Sequence, residues 1–195
     1  MTGWFTEDFT LAEIKTLRAV ERIPALRQEN TLFNGLFEVP TLDEVLRLRE
    51  RLSRELQREI GVYPETKHPT YFQTIGLPLE PPLVAELRRH GLDRRNAPAF
   101  VQSFEDGNLR ELHERFELRC PLVFLAPAPG RYTTPEGLRE LATFASGLGP
   151  TKDLIIPRRA DGSLGQPTTL VADAHAAGLV VHAWTFRGGK LLPSG

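Results

Sequence analysis

Apolar residues recur at helical spacing in two early segments of the chain, each opened by the same type of motif. The letters TLAE at 10–13 form a capping box, and Leu11, Ile14 and Leu17 follow one another at intervals of three, which predicts a helix over about 11–19. The letters TLDE repeat this motif before a leucine-rich stripe on a highly charged segment, which predicts a helix over about 42–60. Proline, asparagine and glycine between the two predict a loop over 21–37.

Further along, short apolar runs alternate with helical patterns. The runs predict five strands, near Val62 and over 99–104, 121–125, 154–157 and 179–186. The patterns between them predict helices over 81–90, 108–116, 134–146 and 168–177. This alternation is typical of parallel strands covered by helices, so the fold class is α/β. The five predicted strands are fewer than the eight, in about 250 residues, that a closed (β/α)₈ barrel needs.

Length and composition set limits on the class of protein. A chain of 195 residues with 41% hydrophobic and 25% charged residues is typical of one globular domain. The formal net charge of −1 argues against nucleic acid as a main partner. A single cysteine cannot form an internal disulfide, and the sequence contains neither a signal-like start nor an apolar run of membrane-spanning length. These features leave the compartment and the oligomeric state open.

The segment GVYPETKHPTYF at 61–72 has the most informative pattern in the chain. Glu65 and Lys67 lie two positions apart, so on a strand they point to one face and Thr66 points to the other. A carboxylate beside an ammonium at a strand end suits a hard cation and an anionic substrate together. The alternative is a simple ion pair, which the spacing alone favours. His68, next to a proline, is read as structural.

Two later strand ends contain further candidates. Gln102, Ser103 and Phe104 close the strand over 99–104, and Ser103 or Asp106 is expected to cap the next helix. Ser103 is not read as a nucleophile, because no G-x-S-x-G motif surrounds it. On the last strand, His182 and Trp184 share a face with Phe186, and we expect this face to point toward the interior of the barrel. A tryptophan at such a position is as often a core residue as a site residue.

Several motifs together resemble the glycerophosphodiester phosphodiesterase family, most closely its bacterial periplasmic type. They are YPETKHPTYF, FTLAEIKTL, VQSFEDGNL and VVHAWTFR, and they match in register from Gly3 to about Arg187. The resemblance implies a (β/α)₈ barrel, with residues 1–195 forming a single partial domain that contains about strands three to seven. Strands one, two and eight of the family are not found in these residues.

The resemblance also implies roles for particular residues. Glu65 would be a ligand of Ca²⁺ or Mg²⁺, and Lys67 would contact the phosphate of a small-molecule glycerophosphodiester. Gln102 and Phe104 would lie at the rim of the site, and Trp184 would line the pocket for the alcohol group. The family hydrolyses such diesters to an alcohol and glycerol 3-phosphate, and an intact relative is expected to be exported to the periplasm or the cell exterior.

The family's catalytic residues have no counterpart in this sequence. Its His-Arg pair and its Glu-x-Asp pair with a second histidine do not occur before Gly61. The catalytic residues are therefore unknown, metal binding is expected to be weak or absent, and the chain alone is expected to show little or no turnover. The alternatives are a non-catalytic barrel remnant that binds phosphate ligands or a partner chain, and an inactive gene fragment.

Overall fold

The computed structural model describes residues 3–186, which belong to two compact units, one running to Arg47 and the other comprising Leu48–Phe186. The first unit contains 3₁₀ helices at Thr6–Asp8 and Gln28–Phe33 and the short α-helix α1 at Leu11–Ile14. The first capping box is confirmed, with the Thr10 hydroxyl accepting from the backbone N–H of Glu13. Helix α1 ends earlier than predicted because the chain turns to pair with a returning segment.

Helix α2 spans Leu42–Glu55, and it begins with the second capping box as predicted. It ends before residue 60 because Gln57 adopts a positive φ of 51° and the chain folds back along the helix. The Ser53 hydroxyl accepts from the backbone N–H of Ile60, and Arg49 donates to the Ile60 carbonyl. Across residues 3–186, α2 and every other helix fall short of the apolar length that a membrane crossing requires.

A parallel sheet forms the centre of the second unit, so the predicted α/β class is confirmed. Its strands pair in chain order: β1 at Val101–Ser103, β2 at Leu122–Ala126, β3 at Gly147–Pro150 and β4 at Val180–Val181. The segment around Val62 adds a fifth parallel element, since Val62 bridges Ala99 and Glu65 bridges Gln102. Valine and leucine side chains of β1 and β2 are buried, as expected for strands covered by helices.

Helices separate these strands. They are α3 at Pro69–Thr74, α4 at Glu80–Arg89, α5 at Asp106–Arg110 with a π turn at Glu111–Arg115, α6 at Pro135–Leu141, α7 at Lys152–Ile155 and α8 at Leu170–Ala176. The sequence allows either Thr133 or Thr134 as the start of helix α6, and the structure has Thr134 as N-cap with Pro135 at the first helical position. Leucines on α4, α5 and α6 are buried, and α5 packs against β1 and β2.

The predicted strand at 154–157 is wrong, because the strand lies at Gly147–Pro150 and Ile155 belongs to helix α7. The segment GLGP contains no β-branched residue, so it does not look like a strand. Its glycines are required by packing rather than by backbone conformation. A Cβ atom at Gly147 would lie 2.8 Å from Val180 Cγ2, and one at Gly149 would lie 2.7 Å from Leu125 Cδ2.

Candidate functional site

Glu65 and Lys67 lie together where the Val62–Glu65 segment ends beside β1. Lys67 Nζ is 3.0 Å from Glu65 Oε1, and the backbone of Glu65 bridges that of Gln102. The Glu65 side chain is 19% exposed, whereas that of Lys67 is 71% exposed. The carboxylate is therefore fixed at the edge of the sheet, and the ammonium reaches into solvent, where an anion has access to it.

Of the other three predicted site residues, Phe104 directly follows β1 and Trp184 bridges Thr151 just beyond β3, whereas Gln102 lies within β1. Gln102 is the central residue of β1, and its backbone donates to the Pro64 carbonyl at 2.9 Å. Phe104 meets Trp184 edge to face, with 5.6 Å between ring centroids and an interplanar angle of 86°. Trp184 Nε1 donates to the Gly149 carbonyl at 2.7 Å, which fixes the orientation of the indole ring.

A second aromatic group, which includes a histidine, lies between the two outermost parallel segments. Tyr63 Oη is 2.8 Å from His182 Nδ1, and the Phe100 ring contacts both side chains. Partial burial raises the pKa of Tyr63 to about 12, so the phenol keeps its proton at neutral pH.

Thr66 faces away from Glu65 and Lys67, as predicted, and it is buried. Its hydroxyl donates to Asn108 Oδ1 at 2.7 Å, and Asn108 Nδ2 donates to Glu80 Oε1 at 2.5 Å. Neither Asn108 nor Glu80 was predicted from the sequence to belong to the site. The available signal was a glutamate immediately before two prolines, which places a carboxylate in the first turn of α4.

The predicted cap of the helix after β1 needs correction. Ser103 does not cap α5, because the N-cap is Glu105. The Ser103 hydroxyl accepts from the Glu105 backbone N–H at 3.2 Å and donates to the Thr66 carbonyl at 3.3 Å, so it ties two loops together. His68 has a φ of 51° and directly precedes helix α3.

The donor set at Glu65 fits a divalent cation only in part. Its carboxylate is a suitable hard oxygen ligand. Within residues 3–186, however, Glu65 belongs to no group of three acidic, histidine or cysteine side chains whose ligand atoms lie within 4.8 Å of one another. Its nearest charge is the ammonium of Lys67. The described residues around Glu65 therefore do not form a complete site for Ca²⁺ or Mg²⁺.

Comparison with known proteins gives a consistent result. The Glycerophosphoryl diester phosphodiesterase family matches residues 2–188. Glycerophosphodiester phosphodiesterase GDPD6 of Arabidopsis thaliana is 32% identical over 96% of this chain and 54% of its own length. Glycerophosphodiester phosphodiesterase of Bacillus subtilis is 30% identical over 94% of this chain and 56% of its own. The chain thus spans little more than half of each relative.

A solved structure has a similar fold. The crystal structure of a putative glycerophosphoryl diester phosphodiesterase from Silicibacter pomeroyi matches 95% of this chain and 61% of its own chain, with a TM-score of 0.68. The two sequences are 21% identical, so this similarity concerns the fold alone.

Proposed function

Because the chain belongs to the glycerophosphoryl diester phosphodiesterase family, we propose that it takes part in hydrolysing small-molecule glycerophosphodiesters to an alcohol and glycerol 3-phosphate. The observation on which this rests is the Glu65–Lys67 pair at the end of a parallel strand segment. Active sites of α/β barrels lie at this end of the strands. The pair combines a fixed carboxylate with an accessible cation.

Lys67 is proposed to bind the phosphate of the diester. An ammonium group is a compact charge suited to a phosphate oxygen, and the exposure of Lys67 gives an anion room to approach. Glu65 holds the ammonium in place from one side through their 3.0 Å contact. The pair thus leaves the remaining donors of Lys67 available to a ligand.

Phe104 and Trp184 are proposed to form an apolar wall beside the phosphate position, with Gln102 as a neighbour on β1. Their edge-to-face contact and the bond from Trp184 to Gly149 hold the two rings rigidly. A rigid aromatic surface favours the carbon skeleton of an alcohol over bulk water. In this proposal the wall orients the diester and Lys67 compensates its charge.

Glu65 is proposed as one ligand of a divalent cation, either Ca²⁺ or Mg²⁺. Such an ion would neutralise phosphate charge and orient the diester when bound. Since the described residues supply one carboxylate, we propose that the remaining ligands and the catalytic histidines belong to barrel strands outside this sequence. The chain then corresponds to about strands three to seven of a (β/α)₈ barrel, and alone it is impaired.

Two measurements test this proposal. The first is release of choline from glycerophosphocholine by the 195-residue chain with Ca²⁺ or Mg²⁺, for which we expect a rate at background. Robust turnover would contradict the assignment of the catalytic groups to other strands.

The second is a titration with glycerol 3-phosphate, followed by amide chemical shifts. Lys67→Met should weaken binding at least about fivefold, the loss of one charge-assisted contact. Lys15→Met is the matched control. It removes a lysine of the first unit that pairs with Glu44 of the same unit, and it should bind as the unmodified chain does. Equal weakening by both variants would contradict a specific contact at Lys67.

A second candidate is a non-catalytic barrel remnant that binds phosphate ligands. The solitary position of Glu65 among the potential metal ligands of residues 3–186 favours it. The two candidates differ in a simple way: added Ca²⁺ should strengthen binding of glycerol 3-phosphate if Glu65 takes part in metal binding, and should leave binding unchanged in a remnant.

A further inference from the structure

A buried chain of hydrogen bonds connects helix α4 to the strand segment that contains the site. Glu80, in the first turn of α4, accepts through Oε1 from Asn108 Nδ2 and from Gln73 Nε2 at 2.9 Å. Asn108 accepts in turn from the Thr66 hydroxyl. Thr66 is the residue between Glu65 and Lys67, so the connection ends at the backbone from which both site side chains extend.

Glu80 is unusual because it is fully buried and only one of its two carboxyl oxygens accepts hydrogen bonds. Its exposed fraction is 0%, and its second oxygen, Oε2, has no hydrogen-bond partner among the described residues. A buried polar atom without a partner is destabilising. A methionine of similar length would fill the same volume without this cost, so packing alone does not account for a carboxyl group here.

The segment from Glu65 to Lys67 has few contacts on its exposed side. Lys67 extends into solvent. On the buried side, the Thr66 backbone donates to the Gln102 carbonyl at 3.1 Å, and its own carbonyl accepts from Ser103. These bonds hold the segment against β1, whereas the bond from Thr66 to Asn108 fixes it against the helices. Removing the bond from Thr66 to Asn108 should allow the segment to change its orientation while its backbone stays bonded to β1.

We propose that Glu80 is a positioning residue, which acts through Asn108 and Thr66 to fix the orientation of Glu65 and Lys67. The consequence for ligand binding rests on the phosphate contact proposed for Lys67. The claim that Glu80 orients the segment does not depend on this contact, because it concerns the mobility of the segment itself. Neither Glu80 nor Asn108 needs to touch a ligand for this role.

Four variants separate positioning from general stability. Glu80→Met removes the acceptor for Asn108 and Gln73, whereas Glu80→Gln keeps an acceptor oxygen at the same place. Thr66→Val keeps the side-chain shape and removes the hydroxyl, with its 2.7 Å bond to Asn108 and its long 3.5 Å contact to the Gln102 carbonyl, so it remains informative if Glu80→Met does not fold. Glu136→Gln alters an exposed ion pair on α6 and is the control.

The readout is amide hydrogen exchange, residue by residue, in the folded chain. Glu80→Met and Thr66→Val should each accelerate exchange of the backbone amide at position 66 about tenfold, because loss of one buried hydrogen bond allows local opening. Glu80→Gln and Glu136→Gln should leave it unchanged, and the amides of Leu138 and Leu141 in α6 should not respond to any variant. Unchanged exchange at Thr66, or equal acceleration throughout the sheet, would overturn the proposal.

A second readout connects the network to the ligand. Inorganic phosphate should shift the Lys67 amide of the unmodified chain, and Thr66→Val should weaken that response while Glu136→Gln should not. If phosphate causes no shift at Lys67 even in the unmodified chain, the proposed phosphate contact fails. The exchange measurement then still decides the positioning role of Glu80 on its own.

Discussion

Tyr63 Oη and His182 Nδ1 lie 2.8 Å apart although their residues are 119 positions apart in the chain. They belong to the two outermost of five parallel segments, which in a flat sheet would be separated by about 19 Å at a spacing of about 4.8 Å. Side chains bonded across that distance require a strongly curved sheet. The contact is therefore direct evidence that this sheet curls toward a barrel, with Tyr63, Phe100 and His182 on its inner face.

The Tyr63–His182 bond should contribute to stability as a pair. In a double-mutant cycle with Tyr63→Phe and His182→Gln, we expect a coupling free energy of about 0.5–1.5 kcal/mol, the usual net value of one hydrogen bond. Urea unfolding of the four proteins measures it. Strictly additive effects would mean that the two side chains do not interact in solution and that the sheet is more open.

Trp184 should report directly on ligand binding. The chain contains two tryptophans, so Trp4→Phe leaves Trp184 as the only one. We expect glycerol 3-phosphate to change the emission of Trp184 in this variant, because the indole ring packs against Phe104 at the proposed pocket wall. Phe104→Leu should reduce the change. A ligand that binds, as judged by chemical shifts, without any effect on this emission would remove Trp184 from the pocket.

The alternation of apolar runs and helical patterns was sufficient to predict a parallel α/β fold, because burial between helices leaves a clear hydrophobic signal. The strand Gly147–Pro150 was missed for a physical reason. Two glycines let neighbouring side chains approach its backbone, so the strand lacks the β-branched residues by which strands are recognised. Its position depends on Val180 and Leu125, which are distant in sequence.

The candidate site could be predicted only in part. Glu65 and Lys67 lie on one face of a segment, which a period of two predicts. The hydrogen bonds behind them were not predictable, because Glu80 and Thr66 lie 28 and 42 positions from Asn108. No local pattern relates residues at such separations. The contact between Phe104 and Trp184 has the same character, since it exists only when the sheet curls.

Cys120 should be unreactive while the protein is folded. Burial raises the pKa of its thiol to about 12, and the nearby charge of Asp93 acts in the same direction. Since the thiolate is the nucleophile, alkylation by iodoacetamide at pH 8 should be at least about a hundredfold slower than in urea. Mass spectrometry of timed samples measures the rate. Rapid labelling without urea would show that the surrounding segment opens readily.

Asp93 should make stability depend on acidic pH. Burial alone would raise the pKa of Asp93, but hydrogen bonds from Arg88 at 2.8 Å and from the backbone N–H of Arg119 at 2.7 Å outweigh it and hold the pKa below its ordinary value. The side chain is 10% exposed, so its bonds are shielded from water. We expect Asp93→Asn to lower the free energy of unfolding by roughly 1–3 kcal/mol at pH 7.

The direction of the pH effect follows from this lowered pKa. The carboxylate is charged in both folded and unfolded chains above about pH 5, so its full contribution is present there. As the pH falls, the unfolded chain takes up a proton first, and the contribution disappears as the pH passes through the folded pKa. The difference between Asp93→Asn and the unmodified chain should therefore shrink between about pH 5 and pH 2 in urea titrations. Asp153→Asn, at an exposed residue, is the control and should change the free energy of unfolding by less than about 0.5 kcal/mol. A constant difference between Asp93→Asn and the unmodified chain across this pH range would show that the substitution acts through packing and not through charge.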